Sequence, residues 1–472
     1  MSASDSGRPA TGTPRTSKWL FLVGAVVMTA GLLFGYDQGV IGGALRGIER
    51  QFEVGTLVSE IITSWVTLGA LVGALIAGNL ADRLGRRPTI LLAAALFIVG
   101  AVTEAVAPGP AVLVGGRLVV GLGVGVTSVV GPLYAAEMAP SRLRGRFVSI
   151  YQLAITFGIF IAYLVDQLLA ESGSWRLMLG LSVVAGVLLV LAILPLPDTA
   201  VWYAKAGRTE PARRVLGRMR PGQDVGREID QIEQSLRGHR AGWPEVFSRK
   251  WRRPLVLGLG LAALQQLTGI NGVIYYADKI FGAAGFHTPA SQTAVTTWSV
   301  GAVNVLFTFA AVAFVDRLGR RPLLLAGLVG MGLSLLVIAL CFVKVGQVTH
   351  SSSSPSNRPT DAGVILLVGV VVFIASYAFS LGPVVWTVIN EIYPSSVRGL
   401  GVALATAVNW FTAWLVTQFF LSLAEWLGQS GAFGVFAAVC AVAFVFVWRL
   451  LPETKGRSLA EIQQMWLDEA KR

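Results

Sequence analysis

Charge is scarce in this chain. Asp, Glu, Lys and Arg make up 14% of its 472 residues, where a soluble globular domain carries about a quarter. That shortage excludes an ordinary water-soluble domain. Cysteine is scarcer still. Cys341 and Cys440 are the whole supply, and each falls inside an apolar run, so both read as small buried hydrophobes. Neither a disulfide framework nor a metal site is offered. Histidine is limited to His239, His287 and His350, all in loops. With no nucleophile–base pair, phosphate loop or metal cluster, an enzyme is not indicated, and no cofactor is expected.

What is abundant is apolar. Hydrophobic residues make up 54%, mean hydropathy is +0.66, and the apolar residues come in runs of about 20, the length that crosses a bilayer. The runs fall near 19–41, 59–80, 88–107, 111–135, 147–170 and 174–195, then near 254–282, 290–315, 322–344, 362–388, 397–423 and 431–450. Lipid leaves backbone groups no outside partner, so all twelve must be helices. The expected fold is an all-α membrane protein: a disordered tail over 1–18, a six-helix half over 19–196, a helical linker over 197–253, a second six-helix half over 254–450, and a tail over 451–472. The linker shows helix-like stretches at 209–219 and 225–237, and a Ser-rich outer loop covers 350–359. The first run is too long for a signal-peptide core and is kept as an uncleaved span. The net charge of +12 does not point to nucleic acid. Most of the Lys and Arg lie in the tails and the even-numbered loops, and this positive-inside bias places both termini in the cytoplasm.

The two halves echo one another. DRLGRRP occupies residues 82–88 and again 316–322. Glu137, Pro140, Ser141, Arg144 and Gly145 are answered by Glu391, Pro394, Ser395, Arg398 and Gly399, and Pro197-Asp198-Thr199 by Pro452-Glu453-Thr454. Three echoes in one order mark a duplicated architecture.

One stretch carries a mechanical argument by itself. In QQLTGINGVIYY (265–276), Gln265 and Asn271 point about 120° apart on an ideal helix. For both to reach one ligand the helix must break between them. Gly269 lies there and Gly272 follows, where bending is cheap. Broken helices at mid-membrane are how transporters present polar groups to substrate. Gln265, Gln266, Asn304 and Asn409 sit centrally in their spans, and Gln152 nearer the cytoplasmic end. Amides donate and accept at once, which suits a polyhydroxylated ligand, although such amides also bind helices together. Trp386 and Trp410 lie within apolar runs and offer flat faces.

Asp37 is the single acidic residue of the first run, and Arg117 lies at a matching depth in span 4. Opposite charges at one depth are paired or functional, unless each reaches outward to water. Arg117 favours the charged carboxylate, and desolvation favours the protonated one.

These motifs, with GRLVVGLGVG (116–125), EMAPSRLRG, GPVVW (382–386), EIYPSSVRG and PETKGRSL (452–459), resemble the sugar porters of the major facilitator superfamily over nearly the whole chain. The resemblance implies sugar contacts at Gln152, Gln265, Gln266, Asn271, Asn304, Trp386 and Asn409, with Tyr275, Tyr276 and Trp410 at the rim. It implies proton coupling at Asp37 and Arg117, since facilitative relatives carry Asn at the position of Asp37. It further implies a cytoplasmic gate of Asp82, Arg83, Arg86, Glu137, Arg144, Asp316, Arg317, Arg320, Glu391 and Arg398, whose salt bridges hold the inner side shut. The expected activity is proton–monosaccharide symport by a monomer in the plasma membrane, for a hexose such as glucose or for a pentose. A facilitative uniporter and a transport-inactive sensor are the alternatives. Drug antiport is not favoured, because the fifth span lacks that group's glycine–proline motif. Two segments depart from the family pattern: PDTAVWY (197–203) stands for PESPRWL, and Val385 replaces the second proline of GPIPW.

Overall fold

The chain is described by a computed structural model over residues 18–140, 143–221, 225–237, 242–349, 361–394, 397–456 and 459–470. The expected N-terminal tail and the Ser-rich loop lie outside these residues, as do the side chains of Arg144 and Asp316. All regular structure among the described residues is helical.

Span 1 is Lys18–Phe52, span 2 Thr56–Leu84, span 3 Arg86–Ala105, span 4 Pro110–Met138 and span 5 Arg144–Leu169. Span 6 is made of Trp175–Gly180 and Ser182–Ile193. Short helices follow at Ala200–Lys205, Thr209–Met219, Gly226–Arg237 and Trp243–Val246. In Thr209–Met219 the apolar residues Ala212, Val215, Leu216 and Met219 are buried, a single stripe at helical spacing.

The second half begins with span 7, broken into Arg252–Leu267 and Ile270–Ala283. Span 8 joins Pro289–Thr296 to Val303–Leu318 through a π-helical segment, Thr297–Ala302. Span 9 is Arg320–Thr349, and span 10 is Asp361–Phe379 continued by Leu381–Ile392. The last two apolar runs form one helical element, Arg398–Leu450, 53 residues long. A straight helix of that length would reach about 80 Å, far beyond a hydrocarbon core of about 30 Å. Gly428, at φ 73° and ψ 163°, breaks it, in a backbone region that favours glycine. Both ends then return to the same face: Arg398 bonds the Tyr393 carbonyl, and Glu453, just past the far end, caps span 9. Among the described residues, eleven continuous apolar helical stretches thus give the twelve crossings expected from the sequence.

Small residues set the helix spacing. A side chain on Gly35 would collide with the Ile155 carbonyl of span 5, and one on Gly121 with the Val66 carbonyl of span 2. Such close approach is how helices pack where lipid removes the hydrophobic drive. Between the halves, span 1 packs on span 7, span 2 on span 11, and span 5 on span 8.

Candidate functional site

Span 7 breaks between its two amide groups. Arg252–Leu267 ends at Thr268, and Gly269 adopts φ 89° and ψ 10°, a left-handed conformation suited to glycine. A side chain there would also strike the Phe436 ring. Just before the break, two amides of span 7 join one of span 11 in a buried network. Gln265 Nε2 donates to the Leu381 and Gly382 carbonyls at 2.8 and 3.2 Å, where span 10 is itself interrupted after Phe379. Asn409 Nδ2 donates to Gln265 Oε1 at 2.8 Å and to the Ala262 carbonyl at 3.0 Å. Gln266 Nε2 donates to Asn409 Oδ1 at 3.2 Å, leaving Gln266 Oε1 buried without a partner. Spans 7, 10 and 11 therefore meet on exchangeable amide bonds.

The other expected sugar contacts are not joined to this trio. Asn271 is buried just beyond the break, and Asn304 is buried with Thr308 Oγ1 at 3.5 Å. Gln152 and Trp386 are half-buried and make no side-chain hydrogen bond to the trio among the described residues. The three aromatics expected at the rim are all buried. Tyr276 donates to the Thr417 carbonyl and stacks on Phe420, and Trp410 lies against Phe34 of the first half with centroids 5.2 Å apart. Tyr275 OH accepts from Gln38 Nε2 at 3.3 Å.

The charged pair lies one residue from that last contact. Arg117 Nη1 donates to Asp37 Oδ1 at 2.7 Å, and Arg117 Nε to the Ile62 carbonyl at 3.2 Å. Arg117 is 0% exposed and Asp37 3%, which removes the reading that each extends outward to water. The apolar run ends near residue 41, but its helix continues to Phe52, so Asp37 is deeper than the run suggests. A third charge, unforeseen from the sequence, completes the cluster. Glu104 of span 3 is buried, with Oε1 at 3.8 Å from Arg117 Nη1 and without a hydrogen-bond partner, and Arg117 Nη2 is likewise unpartnered. Two carboxylates thus share one guanidinium, and a single proton balances the charge. A lone Glu inside the third apolar run was the available signal.

The repeated motifs converge into one repeated unit on the face that carries the described C-terminal helix and both DRLGRRP copies. In the first half, Arg86 holds Glu137 in a two-bond pair (3.0 and 2.9 Å) and reaches Asp82 at 3.2 Å. Thr199 also donates to Glu137, while Asp198 accepts from the backbone N–H of Arg86 and Arg87 at the start of span 3. In the second half, Arg320 pairs with Glu391 at 2.9 Å and Thr454 donates to Glu391 at 2.6 Å. Glu453 accepts from the N–H of Arg320 and Arg321, both at 3.1 Å. The third echo, Asp198-Thr199 and Glu453-Thr454, is therefore part of the unit, a role its sequence did not disclose. Arg398 is half-buried on the Tyr393 carbonyl, and Arg83 and Arg317 are exposed.

These ion pairs differ from the expected latch. Each lies within one half, so they brace the halves individually. The hydrogen bonds that join the halves among the described residues all lie toward the opposite face. Ser64 donates to Gln418 at 2.6 Å, Ser422 to Glu60 at 2.6 Å, Tyr163 to the Ile274 carbonyl at 2.8 Å, and Thr297 to the Tyr163 carbonyl at 2.9 Å. Lys279 and Glu49 add an ion pair at 2.6 Å. Among the described residues the hydrogen bonds named above close that face, and the ion pairs named on the basic face each stay within one half.

Comparison with known proteins agrees with this geometry. A family model described as "Sugar (and other) transporter" matches residues 23–466. The galactose-proton symporter of Escherichia coli K12 is 38% identical over 448 residues, covering 94% of each chain. The arabinose-proton symporter of the same strain is 38% identical over 460 residues, covering 96% of this chain and 95% of the relative. Among solved structures, the xylose transporter XylE from E. coli, in a partially occluded inward open conformation, superposes with a TM-score of 0.80 at 26% identity, over 94% of this chain and 100% of that one. The chain belongs to this sugar transporter family, the sugar porters of the major facilitator superfamily, and it is a membrane transporter, not an enzyme.

Proposed function

We propose that the protein imports a monosaccharide, a hexose such as glucose or a pentose, together with a proton, by alternating access in the plasma membrane with both termini in the cytoplasm. The observation that carries this reading is the buried Asp37–Arg117 pair at 2.7 Å, one residue from Gln38, which holds Tyr275 of the broken sugar helix. Relatives named for proton symport of galactose and arabinose support the same reading.

The chemistry follows from the contacts. Asp37 takes the proton, its bond to Arg117 weakens, and the adjoining Gln38–Tyr275 bond is disturbed with it. Occupancy in the first half is thereby felt by the segment Ile270–Ala283 of the second. A sugar hydroxyl both donates and accepts, so it replaces the amide-to-amide bonds among Gln265, Gln266 and Asn409 without stranding a buried polar atom. Trp386 offers a half-buried ring for the C–H face of the sugar. A neutral sugar gains nothing from membrane potential, whereas a co-transported proton brings about 2.3 kcal/mol per 100 mV.

The test is uptake of labelled glucose, galactose, arabinose and xylose into proteoliposomes with and without an inward proton gradient, for wild type and Asp37→Asn. Gradient-driven accumulation by wild type, with mere equilibration by the variant, is the expected result. Equal equilibration by both forms identifies a facilitator and overturns the coupling role of Asp37.

A further inference from the structure

A second buried carboxylate lies where the halves meet on the closed face. Asp166 of span 5 is 2% exposed. Its Oδ2 accepts from the Gly43 N–H of span 1 at 3.2 Å, and its Oδ1 is buried without a hydrogen-bond partner. Across the interface, Asp278 of span 7 is close enough for its charge to act on Asp166. Asp278 is 7% exposed and accepts from Thr296 at 2.6 Å.

The surroundings supply no cation to Asp166. Span 1 presents Tyr36, whose OH donates to the Met178 carbonyl, and Arg46, whose charge reaches Asp278 without forming an ion pair among the described residues. Span 5 contributes Tyr163, bonded to the Ile274 carbonyl. In span 7 the next cation, Lys279, is taken by Glu49. Span 6 brings Trp175 and Met178, and span 8 brings Thr293, Thr296 and Thr297, all uncharged at neutral pH. A cavity of about 310 Å³ lies against this cluster, lined by Gly43, Arg46, Arg50, Ser172, Asp278 and Thr293. Arg50 and Ser172 are exposed, so the cavity opens toward the closed face and reaches Asp278, while Asp166 lies behind the cavity wall, bonded to its Gly43.

We propose that Asp166 is a second proton-binding residue of the transport cycle, and that it must be neutral for the halves to close on this face. An ionised carboxylate buried with a free oxygen beside a like charge is costly. Opening the face separates span 5 from spans 7 and 8, hydrates the carboxyl and lets it ionise. The proton binds Asp166 Oδ1 from water before the face closes and leaves to water on reopening. This inference builds on the alternating-access reading above but not on the coupling role of Asp37.

The experiment is sugar exchange in proteoliposomes with equal pH on both sides, between pH 6 and 9, using whichever of the four labelled sugars is carried. It compares Asp37→Asn with the double variant Asp37→Asn/Asp166→Asn, so that titration at Asp37 is already removed. The expected result is at least a tenfold fall in exchange with rising pH for the single variant and less than a twofold fall for the double. Asp278→Asn in the same background removes the like charge that opposes ionisation of Asp166 and makes the fall with pH smaller, and this reading stands even where the Asp166 variant fails to fold. Superimposed profiles for all three, or a single variant already indifferent to pH, overturn the inference. Wild type that fails to accumulate sugar under a gradient overturns the coupling proposal instead, and the exchange profiles still decide Asp166.

Discussion

The two halves share an architecture but divide the polar chemistry. The first buries charge at the heart of its helices, with Asp37, Arg117 and Glu104 in one cluster. The second buries amides at the corresponding heart, with Gln265, Gln266 and Asn409 bonded together. Their basic-face units use the same partners, Arg86–Glu137–Thr199 against Arg320–Glu391–Thr454. Duplication conserved the brace, and the spans diverged. Charge titrates and suits an ion, whereas amides exchange hydrogen bonds at constant charge and suit a neutral polyol. The few contacts that join charge cluster and amide helix, Gln38 to Tyr275 above all, are where one event informs the other.

The sharpest break of this division is Gln265→Ala. It removes the donor to two span 10 carbonyls and the acceptor for Asn409, so buried polar groups lose partners at about 1–3 kcal/mol each. Sugar affinity should fall at least about tenfold, equivalent to about 1.4 kcal/mol, as read by calorimetric titration in detergent.

The likeness of the braces can be tested next. Glu137 takes two bonds from Arg86 and is more buried than Glu391, which takes one from Arg320. Glu137→Gln should therefore lower the melting temperature more than Glu391→Gln. Hydrogen bonds to charged groups are worth about 1.5–3 kcal/mol, so the expected losses are several degrees. Equal losses would mean that the braces are equivalent despite their geometry.

A smaller effect separates the two caps of the third spans. Burial lifts the Asp198 carboxyl above its usual range, against the N–H bonds of Thr199, Arg86 and Arg87. Burial acts on Glu453 too, but N–H donors from Lys455, Arg320, Arg321 and Thr454 together hold it below the usual range. The signs are opposite. The contribution of Glu453 is present above its unfolded value and lost as pH falls through the lowered folded one, and that of Asp198 is present at acid pH and lost as pH rises through the raised one. Glu453→Gln should thus melt below wild type at pH 7, with the gap narrowing toward acid. Asp198→Asn should melt above wild type at pH 7 and converge with it at acid. Thermal scans from pH 7 to pH 4 read both trends. Least affected should be Arg83→Ala and Arg317→Ala, exposed in both halves, with stability within about 0.5 kcal/mol of wild type. A large loss for either would show that these arginines are engaged in the folded protein.

Much of this organisation was legible in the chain. Apolar run length fixed the crossings, because lipid permits few alternatives. The angle between Gln265 and Asn271 required a break, and Gly269 provides it. The depths of Asp37 and Arg117 matched, and they pair. What escaped were contacts between distant segments. Glu104 and Asp166 are lone acids in their apolar runs, but periodicity does not say which guanidinium or which half faces them. The direction of the gate contacts escaped for the same reason: a repeat shows that two units are alike, not whether their bonds run within a half or between halves.

The claim that charge drives and amides bind is tested most directly by the sugar affinity of Asp37→Asn in detergent, where no gradient acts. The account predicts a dissociation constant within about twofold of wild type, a difference under about 0.5 kcal/mol, in a protein that no longer accumulates sugar. A loss of binding as large as that of Gln265→Ala would contradict it, placing Asp37 in the sugar site itself.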